Sequence, residues 1–131
     1  MFPENRPLKP TFNDMVSWQQ AEVLMQPSLI RLLDNLRQQL ETSSWQGTYA
    51  EVREPLPGHV LTLTRGDQTR TVHLWELCFR TCFLNYPPLH PGLPVAIDSR
   101  LLSAQGEVEW EILDDKVRQI VAALFASLEA S

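Results

Sequence analysis

Ten prolines divide the chain more firmly than any other feature. Pro3, Pro7 and Pro10 fall in the first ten residues, Pro55 and Pro57 flank Leu56, and four more crowd the span from Pro87 to Pro94. A proline has no amide hydrogen and fixes φ at about −65°, and it pushes the preceding residue out of the helical region. Regular elements must therefore lie between these blocks. The remaining proline, Pro27, separates two stretches of helical periodicity. This distribution predicts an extended Pro-rich arm over residues 1–12 and one folded domain over residues 13–131, a size at which a chain builds its own core without a staple.

Asn13 offers an N-cap and Asp14 a favourable first-turn charge. Met15, Trp18, Ala21, Glu22 and Met25 then recur at three- and four-residue steps, which predicts a short helix that Pro27 ends or sharply bends. A second helix follows, with Leu29, Leu33, Leu36 and Leu40 as its apolar stripe and Ile30 and Leu32 widening it; Ser43 and Ser44 close it. Thr48 to Glu54, His59 to Arg65 and Thr69 to Leu74 are short alternating segments rich in Val, Thr, Leu or Tyr. With Gly66-Asp67 as a turn, they predict a three-stranded antiparallel meander. Leu74 to Leu84 reads as a helix by its length, with prolongation of the third strand as the alternative, and Val95 to Ile97 as a short edge strand. A last helix begins at about Glu109, with Leu113, Val117, Ile120, Leu124 and Leu128 facing inward. The expected fold class is α+β: a small antiparallel three- to four-stranded sheet covered by helices, with an N-terminal helix pair and a C-terminal helix.

Charge and cysteine content narrow the function classes. Eleven Lys+Arg against sixteen Asp+Glu give a formal charge of −5, the wrong sign for a general binder of phosphate backbones, so a nucleic-acid partner is not expected. No apolar run approaches the roughly 18 residues of a membrane-spanning helix. The first ten residues lack a signal-peptide hydrophobic region. Two cysteines are too few for a secreted disulfide framework, and a cytoplasmic location is expected. Cys78 and Cys82, with His73 upstream, come nearest to a zinc motif, but a closed site needs four ligands, and both read better as small core residues. Asp98, the acidic run from Glu107 to Asp115 and Lys116 could form a magnesium nuclease site only if the carboxylates converged. On one helix they diverge, and helix-start charge accounts for them. No nucleophile elbow or phosphate-binding loop occurs. No metal and no cofactor is expected, and the residues single out no catalytic set.

What remains is recognition. Arg53, Arg65 and Arg70, with His59 and His73, make the sheet segment locally cationic, although solvated strand positions are the plainer explanation. Of Trp18, Trp45, Trp75 and Trp110, the first two are the expected exposed pair. The candidate partner-binding set is Trp18, Trp45, Arg53, Arg65 and Arg70, with Tyr86 and His90 from the Pro-rich loop. Three stretches, Trp45-Gln46-Gly47-Thr48-Tyr49, His73 to Phe79 (His-Leu-Trp-Glu-Leu-Cys-Phe) and Glu109-Trp110-Glu111-Ile112-Leu113-Asp114, together resemble small soluble proteins of cyanobacteria that carry no assigned activity. The resemblance spans most of residues 11–129. It implies a cytoplasmic service role near photosynthetic assemblies and supplies no catalytic residue. The leading expectation is a non-enzymatic interaction or assembly factor whose partner is another protein or a second copy of the chain, displaying an apolar surface patch. The alternatives are a small-ligand-binding domain or minor enzyme, with a cavity of at least ~300 Å³ between sheet and helices, and a nucleic-acid-associated protein.

Overall fold

The central strand of a three-stranded meander supplies the floor of the core; one helix packs on it, and two longer helices pack on that helix and on each other. The structure is a computed structural model that describes residues 12, 15–52, 58–87 and 94–130. Helix α1 spans Met15–Thr42, followed by strands β1 (Gln46–Val52), β2 (Gly58–Arg65) and β3 (Gln68–His73). Helix α2 (Leu74–Cys82), a 3₁₀ turn (Ser99–Leu101) and helix α3 (Trp110–Ala130) complete the order. The fold is α+β, with strand order β1-β2-β3 and both pairings antiparallel.

One helix stands where a pair was expected. Helix α1 runs through Pro27, whose missing amide leaves the Val23 carbonyl without its helical donor. Burial on both sides of the proline offsets that loss. Ala21, Leu24, Ser28, Leu32 and Leu36 form a continuous buried stripe at 3-4-4-4 spacing across it. The inner face is therefore rotated from the expected Leu29-Leu33-Leu36-Leu40 line. Leu33 and Ile30 are exposed, while Leu29 and Leu40 pack at the edge of the core.

The meander is as the alternation predicts. Arg65 pairs with Gln68, leaving Gly66-Asp67 as a two-residue turn, and Gly66 has φ of 60°, the left-handed value that a primed hairpin turn requires of its first residue. Leu61 and Leu63 point inward and are fully buried, with Tyr49 and Val72 opposite Leu61 in the neighbouring strands. On the opposite face Thr48, Thr62 and Thr71 align across the three strands, the β-branched polar surface of a solvated sheet. Gly47 lies where α1 ends over the sheet; a Cβ there would stand 2.9 Å from Leu40 Cδ1 and 3.0 Å from Leu61 Cδ1.

Leu74–Cys82 is helical and starts directly after β3, burying Leu74, Leu77, Cys78, Phe79, Thr81 and Cys82. Val95–Ile97 does not join the sheet. Ile97 bridges Phe83, and the Leu84 and Asp98 amides donate to the Ala96 and Cys82 carbonyls, so the segment pairs with the end of α2 instead. Leu102 and Val108 pair in a small loop closed by Gly106 at φ of 80°, which places Glu107 before α3 and not in its first turn. Along α3 the buried residues are Leu113, Val117, Val121, Phe125 and Leu128; Ile120 and Leu124, expected at its centre, flank them. No helix among the described residues is long and apolar enough to cross a membrane.

Candidate functional site

Two features stand apart from the packing of the core: a groove beside α2 and α3, and the outer face of α1. The groove is organised by Asp98, whose carboxylate is 1% exposed. The bridge between Ile97 and Phe83 delivers it to the end of α2, where its own side chain caps the 3₁₀ turn by accepting from the Arg100 amide at 3.2 Å. The Arg100 guanidinium donates to both carboxylate oxygens, Nε to Oδ1 at 3.0 Å and Nη2 to Oδ2 at 2.9 Å. Lys116 Nζ arrives from α3 and donates to Oδ2 at 2.9 Å. These hydrogen bonds, Arg100 foremost, hold the Asp98 carboxyl well below the usual carboxylate range despite its burial.

Arg100 and Lys116 face a groove of about 840 Å³ bounded by α2, α3 and the β3 edge. Its α3 wall runs Lys116, Gln119, Ile120, Ala123, Leu124 and Ser127, one face at helical spacing, polar at both ends and apolar between. Leu77, Phe83 and Val72 complete the apolar surface, and Arg80 joins the cationic end while ion-paired to Glu76 at 3.0 Å. Tyr86 also lines it, buried against Phe79 at 5.1 Å between ring centroids.

The candidate residues scatter over this fold. Trp45 is 3% exposed, contrary to expectation. The chain turns back at the end of α1 and tucks the indole under α3, where Nε1 donates to Glu129 Oε1 at 3.3 Å and the Arg65 guanidinium stacks on the ring at 4.5 Å. Arg65 is in turn ion-paired to Glu129 at 2.7 Å, so this pair closes the fold between β2 and α3. Trp18 is 39% exposed and meets Phe12 edge-on at 4.7 Å. Arg70 sits on β3 and donates to the Thr69 carbonyl at 3.1 Å. Among the described candidates, only Trp45 and Arg65 are brought together. Arg53 and His90 lie outside the described residues, as do most of the Pro-rich arm and loop.

Cys78 and Cys82 occupy the buried face of α2, with Cys82 Sγ 3.3 Å from Ser28 Oγ and donating to Met25 Sδ at 3.8 Å. Burial pushes the Cys82 thiol up to about 11 and Cys78 higher still, so neither is a thiolate near neutrality. Among the described residues no three His, Cys, Asp or Glu side chains gather as metal ligands.

The outer face of α1 is what reading for motifs missed. Met15, Val16, Gln19, Val23, Gln26, Ile30 and Leu33 are all exposed and uncharged, on the side opposite the buried stripe. The signal was present: Val16, Val23 and Ile30 recur every seven residues, nearly two helical turns. Comparison with protein-family models, with curated proteins and with solved structures finds no match to this chain.

Proposed function

We propose that this chain is a non-enzymatic interaction protein that docks a helix of its partner along the outer face of α1. One observation carries the reading: Val16, Val23 and Ile30 are 60%, 46% and 56% exposed at seven-residue spacing. A solvent-facing helical surface is ordinarily polar or charged. Here seven consecutive face positions carry no charge, and the spacing suits a facing helix, with Val16, Val23 and Ile30 at one core position and Gln19, Gln26 and Leu33 three residues on at the other. Two glutamines in so short a seam lower its affinity and favour selectivity, which suits an exchangeable partner in an accessory role. The partner helix belongs to another protein or to a second copy, and the cytoplasmic, cyanobacterial setting follows from the sequence resemblance.

The test uses the intact protein and the double variant Val23→Glu/Ile30→Glu. Both sites are exposed, so the variant should keep its far-UV circular dichroism and melt within about 0.5 kcal/mol of the parent. Sedimentation velocity reads self-association, and fluorescence anisotropy reads binding to a panel of labelled amphipathic helical peptides with apolar, uncharged seams. The expected result is micromolar binding in one of the two assays, weakened at least about tenfold in the variant. A wild-type protein that neither self-associates nor binds any helix would overturn the proposal, as would a variant that binds equally well.

A further inference from the structure

We infer that the groove between α2, α3 and β3 binds a small amphipathic carboxylate, its acid group at Arg100 and Lys116 and its apolar body along Leu77, Ile120 and Leu124. The site is independent of the α1 face.

The first argument is charge. Arg80, Arg100 and Lys116 face Glu76 in the groove, with Asp98 behind them, which leaves one positive charge in excess on a molecule whose formal charge is −5. Arg100 Nη2 and Lys116 Nζ each lie 2.9 Å from the same Asp98 oxygen, so the two nitrogens are within twice that distance of each other. The buried carboxylate fixes both cations in place but balances one of them. Each keeps donors that Asp98 does not use: Arg100 retains Nη1, and Lys116 retains two of its three N–H groups. A single excess charge displayed by a guanidinium and an ammonium matches a monoanion, and a planar carboxylate suits the guanidinium fork.

The second argument is shape. A volume of about 840 Å³ is that of a small-ligand site. The α3 wall from Lys116 to Ser127 covers about 16 Å of helix axis, room for an alkyl chain of medium length. Beyond the cations its central residues, Ile120, Ala123 and Leu124, offer no charge, so a ligand with a single acid at one end satisfies the groove.

Isothermal titration with dodecanoate, kept below its micelle concentration, tests the assignment beside acetate and dodecyltrimethylammonium. Two variants accompany it. Lys116→Gln removes a cation while Arg100 still pairs with Asp98, and Ala123→Trp fills the groove from an exposed position. The expected result is saturable one-to-one binding of dodecanoate, none of either control at the same concentration, and a loss of about tenfold in each variant. Intact circular dichroism in both variants makes the losses local. Equal binding of the cationic amphiphile, or dodecanoate binding untouched by Ala123→Trp, overturns the site. An acidic, apolar peptide that binds more tightly than dodecanoate in the same titration overturns the small-ligand assignment in favour of a protein segment.

Discussion

Asp98 shows how much of this fold depends on single polar side chains. Its carboxylate joins the 3₁₀ turn to α3 from a buried position, while Arg100 and Lys116 retain partial access to water. Asp98→Asn would leave Lys116 short of its counter-charge and is expected to cost about 2–3 kcal/mol in chemical denaturation, at the lower end for a broken buried pair because both cations can be rehydrated. The pH dependence follows from the direction of the shift. A carboxyl whose folded pKa is depressed contributes its stability above the unfolded value, and loses it as the pH falls through that value toward the folded one. Stability should therefore decline as pH drops below about 4, and the decline should be shallower in Asp98→Asn; parallel curves for the two proteins would contradict the assignment. None of this was legible in the sequence. Asp98 and Lys116 were considered there only beside the acidic run, as parts of a magnesium site, and their ion pair was not foreseen, because the partners of Asp98 lie two and eighteen residues away and nothing in the spacing marks them.

At the scale of elements, legibility followed the range of the forces involved. The meander was readable because turn chemistry and alternation are local: Gly66 supplies the turn between β2 and β3, and the register of that pair follows from it. Helix α3 was readable from its period, although its buried line is displaced toward Val121 and Phe125. Helix α1 was misread because Pro27 is a strong local signal that a longer-range effect overrides. Leu24 on one side and Leu32 and Leu36 on the other are all 0% exposed, and tertiary burial keeps the helix continuous. The local penalty remains. Pro27→Ala restores a backbone donor to the Val23 carbonyl and should stabilise the protein by about 1–2 kcal/mol, after allowance for the freer unfolded chain. A rise in the thermal midpoint checks it, and an unchanged or lowered midpoint would show that the proline is accommodated without cost.

Among the described residues, the helices and one sheet face share a core, and the two surfaces proposed for binding lie where that packing stops. A cavity between sheet and helices was among the alternatives, but the residues that line the groove escaped sequence reading because they come from β3, α2 and the segment after it, the 3₁₀ turn and α3, whose arrangement only the fold sets. The α1 seam was readable but was overlooked beside the more hydrophobic inner stripe. Cys78 and Cys82, both 0% exposed, report on this core as a unit. A disulfide exchange reagent at pH 8 should modify them only at the rate of cooperative unfolding, and mild denaturant should accelerate both together. Rapid modification of either thiol in the native protein would mean that α2 opens on its own. The meander carries a further consequence, in the time domain. Its strands meet neighbours in the chain through short connections, whereas α1 and α3 meet across some seventy intervening residues. Early structure should therefore gather at the sheet, and the clasp of Glu129 on Arg65 and Trp45 should set how slowly the finished molecule comes apart rather than how quickly it assembles.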